Sequence, residues 1–173
     1  MADLTFNTTA GAVVERKLLL LYLNTGSSSG PKWSVIGKRV EDSSMEFDWG
    51  DETKTDILGN TYTTLKAPTI TQTFDPCELD AGDEAQVKLW NQSIKDHDIA
   101  AMTNNDVLVV HTYAGEAPDS VFAERYPAST IKPSGLGGST NVGMPIDVTF
   151  GGARSVGTAK PGAGGTVEFT PAG

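Results

Sequence analysis

The first strongly apolar stretch of the chain is Lys17–Asn24 (KLLLLYLN), closed by the turn-forming run TGSSSGP. So short a run with that ending predicts a buried strand, although leucine content alone would also suit a helix. Lys32–Ile36 (KWSVI) alternates and predicts a second strand, stopped at Gly37. Met45, Phe47 and Trp49 then fall on one face of a period-two segment, with Glu46 and Asp48 on the other. An acidic, turn-rich segment follows from Gly50 to Asn60. The chain returns through two Thr-rich strands, Thr61–Leu65 and Thr69–Phe74, separated by Pro68. Ser44–Phe74 therefore reads as a hairpin with an oversized, charged tip, a shape suited to touching a neighbour.

Asp75–Gly82 is turn chemistry, and a helix is expected from about 82 to 96. Val87, Trp90 and Ile94 lie at helical spacing with Leu89 beside them, and these four are the expected packing face. Asp83 and Glu84 in the first turn, with Lys88 and Lys95 further along, suit the helix dipole. Asp106–Gly115 (DVLVVHTYAG) is apolar on both faces and predicts a strand in the middle of a sheet. Val121–Tyr126 predicts a short strand, and Ser134–Ser139 a loop. Met144, Ile146, Val148 and Phe150 share one face of the next strand. Residues 151–165 are Gly-rich, and Thr166–Thr170 predicts a last strand with Val167 and Phe169 inward. Nine or ten strands and one helix predict a mainly β chain, a two-sheet sandwich or half-barrel with a flanking helix.

Composition narrows this to one domain. A chain of 173 residues can bury about 70% of the surface its unfolded form exposes, enough for a core without staples. The single cysteine, Cys77, excludes an intramolecular disulfide and a cysteine-based zinc site. No secretory leader is expected from the opening MADLTFNTTAG, and residues 1–12 alone would form a mobile arm. The longest apolar run is far shorter than the roughly 20 residues of a membrane helix, so no membrane binding is expected. The net formal charge of −9 argues against gripping phosphate. Residues 41–84 hold 12 acids against Lys54 and Lys66 alone, so the acidity collects on the hairpin and the approach to the helix.

No marked site of chemistry emerges, and no catalytic residue, metal ligand or cofactor is assigned. His97 and His111 lack metal-ligand spacing. The run Asp48–Asp56 lacks the order of a calcium loop and its closing glutamate, so a solvated or interfacial loop is preferred. There is no G-x-S-x-G, no two carboxylates stand out for glycoside hydrolysis, and the glycine clusters do not join a strand to a helix start.

Between about residues 32 and 115 the chain carries, in order, W-x-x-I-G (Trp33–Gly37), E-x-x-W with the acidic Thr-containing loop after it (Glu46–Thr55), and D-I-L-G-N-T (Asp56–Thr61). F-D-P (Phe74–Pro76) and a glycine–aspartate pair ahead of a helix (Gly82–Leu89) follow. In this order of motifs the chain resembles the major tail (tail tube) proteins of long-tailed bacteriophages. The resemblance implies a fold similar to the tube proteins of type VI secretion. Six copies would form a ring around a continuous inner barrel, and rings would stack into the tube that delivers the genome into a bacterial host. By this similarity the chain would be a structural virion protein, assembled in the host cytoplasm. Its partners would be itself, a tape-measure protein, and tail-terminator and tip proteins, and DNA would pass through without specific binding. Trp49, Gly50, Asp51, Glu52, Thr53, Lys54, Thr55, Asp56, Ile57 and Leu58 would reach a neighbouring subunit or ring, with residues 50–58 as a protruding loop. Glu46 and Asp48 are candidate channel-facing acids, and the arm and the segment 151–165 would join the contacts.

An acidic lining suits a channel in which DNA slides, and closing sheets into a barrel removes exposed edges. The alternative is a β-sandwich decoration or binding module, on a capsid or cell surface, that forms no tube. A helix set between two blocks of strands disfavours an immunoglobulin-like version of it.

Overall fold

The computed structural model describes residues 3–173. Its strands are β1 (Leu19–Asn24), β2 (Trp33–Ile36), β3 (Met45–Asp48), β4 (Glu52–Thr55), β5 (Thr61–Thr64), β6 (Thr69–Phe74), β7 (Asn105–Glu116), β8 (Ser120–Pro133), β9 (Ile146–Thr149), β10 (Ser155–Pro161) and β11 (Val167–Pro171). Two helices, α1 (Glu84–Trp90) and α2 (Ile99–Met102), lie between β6 and β7. All pairing is antiparallel. The order β2-β1-β7-β8-β9-β6-β3 forms one path, β10 and β11 extend from β8, and among the described residues β4 pairs only with β5.

β8 creates the two layers. Its first half pairs with β7 and β10, and its last four residues pair with β9. One sheet is therefore β2-β1-β7-β8-β10-β11, and the other is β8-β9-β6-β3. The first sheet curls until Trp33 on β2 and Val167 and Phe169 on β11 line one cleft. Inside the curl, Tyr22, Leu108, Val110, Val121 and Ala123 form one core. The larger core fills the space between the sheets, with Leu23, Val107 and Val109 facing Ile70, Phe74, Ile131, Ile146 and Val148. β7 is thus apolar on both faces because both are buried, and each fully buried aliphatic contributes about 1.5–3 kcal/mol. Met144, Ile146, Val148 and Phe150 all point into this core.

α1 closes one end of the larger core. Asp83 is its N-cap, with Oδ1 accepting from the backbone N–H of Ala85 at 3.0 Å and Gln86 at 3.2 Å. Lys88 Nζ donates to the Asn24 carbonyl at 2.6 Å and ties the helix to the end of β1. The helix runs on through a π-helical segment, Asn91–Lys95, which ends where the expected helix does. Its packing face differs from the expected one at a single position. Leu89 is buried, and Trp90 and Ile94 pack against the core, but Val87 is 44% exposed. At 100° per residue Val87 lies about 160° around the helix from Leu89, and the buried side is completed by Ala85, Gln86 and Ser93.

Three further differences have local causes. The 50–58 loop contains β4, a strand without apolar alternation to announce it. β8 is 14 residues long and continues past Tyr126 through Pro127. The Gly-rich segment 151–165 contains β10, where Gly157 lets β11 approach: a Cβ there would lie 2.1 Å from the Thr170 carbonyl oxygen. The N-terminal arm is tethered. Asn7 N–H donates to the Tyr113 carbonyl at 2.9 Å, Gly115 N–H donates to the Thr5 carbonyl at 3.0 Å, and Phe6 packs edge-on against Tyr113. The first two arm residues lie outside the described ones.

Candidate assembly interface

The β4–β5 hairpin stands off the body. Every residue from Trp49 to Ala67 is exposed except Asp56, which is half-buried within its own turn. From Trp49 to Ile57 an extended strand spans roughly 25 Å. Hydroxyl pairs across the strands, Thr53–Thr63 at 3.0 Å and Thr55–Thr61 at 3.1 Å, stiffen one face. The Asp-Ile-Leu-Gly-Asn sequence builds the apex. Asp56 Oδ1 accepts from the backbone N–H of Leu58 and of Asn60, both at 2.9 Å, and Asn60 Nδ2 donates to Asp56 Oδ2 at 3.0 Å. These bonds, led by the one from the Asn60 side chain, hold the Asp56 carboxyl below its ordinary range. Gly59 takes φ of +86°, where other residues are strained. The consequence is at the tip: Ile57 is 102% exposed and Leu58 81%. An isolated two-stranded hairpin has little stability of its own, so this one presents two aliphatic side chains with no internal reason to do so.

The second surface is the outer face of the sheet β8-β9-β6-β3. Register places Glu46 opposite Thr71, Asp48 opposite Thr69, Asp147 opposite Thr73 and Thr149 opposite both Thr71 and Thr130. Paired residues share a face, so this one is a carpet of threonine and acid, with Lys132 opposite Asp147. Both expected channel acids, Glu46 and Asp48, are exposed on it. The sheet has two unpaired borders among the described residues. β3 pairs only with β6, and the Thr130–Pro133 end of β8 pairs only with β9, since the pairing with β7 ends at Asn105 opposite Ser129.

Phe47 and Trp49 lie on the opposite, inward side of β3. Because β3 is an edge, nothing beyond it covers them among the described residues. They stack at 6.1 Å with rings 14° apart, both about half exposed, beside Pro68, Tyr126 and Phe150. Behind them sits a polar cluster that the sequence pattern did not reveal. Glu124 Oε2 accepts from the Tyr126 hydroxyl and from Arg154 Nε, both at 2.7 Å, and Oε1 lies 3.0 Å from His111 Nε2. A carboxylate only accepts, so Nε2 carries a proton. In the neutral ring Nδ1 then accepts from the Tyr113 hydroxyl at 2.8 Å. Burial pushes the Glu124 carboxyl up, but the bonds from His111, Arg154 and Tyr126 outweigh it and hold it down at about 2. Burial and the adjacent carboxylate both raise the Tyr126 hydroxyl. Every member of the cluster is satisfied by another, and it pins β7, β8 and the entry to β10 together. It is a brace across three neighbouring strands of the first sheet.

No protein-family model and no curated protein matches the sequence. Solved structures do match. A chain of the sheath/tube terminator of an extracellular contractile injection system (PVC) in its extended state is 9% identical, with a TM-score of 0.52 over 86% of this chain and 99% of that one. The PVC sheath–tube complex, also in its extended state, contains a chain 9% identical with a TM-score of 0.49, covering 85% and 93%. The tube-terminating cap of the anti-feeding prophage matches at 14% identity and a TM-score of 0.47, covering 88% and 96%. The first of these shows a shared fold. The mainly β sandwich with a flanking helix is thus the architecture of a terminator chain from an injection system.

Proposed function

We propose that this chain is a structural subunit that joins copies of itself into rings, and that the rings stack into a tail tube through which a genome is delivered to a bacterial host. One observation carries this reading. The sheet β8-β9-β6-β3 has an apolar face in the core, an acid-and-threonine face outside, and an edge without a strand partner on each side among the described residues.

Edge-to-edge pairing of β3 with the Thr130–Pro133 border of the next copy satisfies both borders at once. It also covers the Phe47–Trp49 stack. Such a contact is heterologous, and it ends only when the ring closes. Six copies of a four-stranded sheet give a barrel whose backbone diameter runs from about 37 Å with upright strands to about 48 Å at a tilt of about 40°. The polar face then lines the lumen, where Glu46 and Asp48 repel phosphate and let DNA slide. The β4–β5 hairpin supplies the contact between rings.

Negative-stain electron microscopy of the purified chain over a range of concentrations tests this. Rings and hollow tubes are expected. A chain that stays monomeric at high concentration contradicts it. The likeness to a sheath/tube terminator favours a second reading, in which the chain closes the end of a tube as a single ring. Rings that never stack distinguish that case.

A further inference from the structure

We propose that Lys132 of one copy forms an ion pair with Glu46 of the next, and that this pair sets the register of the seam between them. The proposal rests on the reading of the chain as a ring subunit, and it names the contact that aligns neighbouring copies.

Neighbouring strands of the sheet β8-β9-β6-β3 are antiparallel, so β3 runs opposite to the Thr130–Pro133 end of β8. Copies related by rotation about a ring axis keep their β8 strands in one direction. β3 of one copy therefore meets the Thr130–Pro133 border of the next antiparallel. The two borders match in length, Met45–Asp48 being four residues and Thr130–Pro133 making four pairs with β9. One register joins all of them: Met45 with Pro133, Glu46 with Lys132, Phe47 with Ile131 and Asp48 with Thr130.

The faces agree in that register. Glu46, Asp48 and Thr130 lie on the polar face through their partners Thr71, Thr69 and Thr149, and Lys132 lies there through Asp147. Met45 and Ile131 both belong to the larger core, and Phe47 shares their face by alternation. A slip of one residue would set Glu46 against Ile131 or Pro133 and turn each border to the wrong face. A slip of two keeps the faces, but it leaves half of each border unpaired and moves Lys132 to Ser44 or to Asp48.

Charge selects the same register. In Met45–Asp48, Thr69–Phe74, Ile146–Thr149 and Thr130–Pro133 the acids are Glu46, Asp48 and Asp147, and Lys132 is the one base. Lys132 lies opposite Asp147 in its own chain but forms no ion pair among the described residues. Asp147 Oδ1 accepts instead from the Thr73 hydroxyl at 3.2 Å. Glu46 makes neither an ion pair nor a side-chain hydrogen bond among the described residues, and both side chains are exposed. An unanswered base thus stands on one border and an unanswered acid on the other, and opposite charges facing each other across strands stabilise their pairing.

Lys132→Glu and Glu46→Lys, each in the full-length chain, place like charges across the seam. Both positions are exposed, so both variants should melt like the parent protein. Each alone should need at least about tenfold more protein to form rings in sedimentation velocity. Mixed in equal amounts they should form rings at the parent's concentration, since every seam of an alternating ring joins opposite charges. Cross-linking reads the register directly, because Cys77, the chain's own thiol, is buried. On oxidation, Glu46→Cys with Lys132→Cys should give a ladder of covalent oligomers, and Asp48→Cys with Lys132→Cys should give far less. A mixture no better than its parts, or preferential cross-linking of the Asp48 pair, overturns the proposed register while a ring-forming parent chain keeps the ring reading standing. A parent chain that stays monomeric overturns both.

Discussion

Glu124 is the place where one carboxylate carries a measurable share of the stability. Its side chain is 15% exposed and accepts from His111, Tyr126 and Arg154 at once. Folding lowers its pKa from 4.5 to about 2. A depressed folded pKa means the ionised form favours the native state. The contribution is fully present above the unfolded value of 4.5 and is lost as pH falls through about 2. At 1.36 kcal/mol per unit, the carboxylate stabilises the fold by about 3 kcal/mol at neutral pH. Glu124→Gln keeps the shape and an acceptor but removes the charge. Urea unfolding of both proteins at several pH values between 7 and 2 reads the effect. Other acids titrate in both proteins and cancel in the difference. The variant should be less stable by about 3 kcal/mol at pH 7, and the gap should close between pH 4.5 and 2. A gap that is the same at pH 7 and pH 2, or smaller than about 1 kcal/mol throughout, refutes the reasoning.

Asp83→Ala removes two capping bonds from a buried position and should cost about 1–2 kcal/mol, lowering Tm by roughly 3–6 °C in a scan at neutral pH. Leu89→Ala should cost about 2–5 kcal/mol, whereas Val87→Lys should stay within about 0.5 kcal/mol in urea titrations, since only the first side chain lies in the core. Ile57→Ser with Leu58→Ser should leave Tm unchanged and abolish tubes in electron micrographs. Asp56→Ala should leave global stability alone and speed amide exchange at Leu58 and Asn60, the two groups its carboxylate holds.

How much of this was legible in the sequence depends on whether the signal is local. Alternation at Met45–Trp49 and at Met144–Phe150, and apolar positions on both faces at Val107–Val110, survive in the structure because each strand's environment is written along its own length. Thr53 and Thr55 in β4 carry no such signal, since neither face of that strand is buried. β10 was hidden within a Gly-rich segment, and its own Gly157 is required by the closeness of β11. Val87 matched the helical period, but periodicity alone does not say which side of α1 meets the core. The Glu124 cluster draws on residues from 111 to 154, and only the pairing of β8 with both β7 and β10 brings them together. The tip was legible in part. Its acids and its D-I-L-G-N motif marked it, while the bareness of Ile57 and Leu58 emerged only from the fold.

The central claim is that copies of this chain close the sheet β8-β9-β6-β3 into a barrel with its polar face inward. A cryo-electron microscopy reconstruction of the particle formed by the purified chain tests it most directly. The account predicts a hollow tube with β3 of each subunit beside Thr130–Pro133 of the next, and with Glu46 and Asp48 on the lumen wall. A particle with that face turned outward, or rings joined through any other edges, would contradict it.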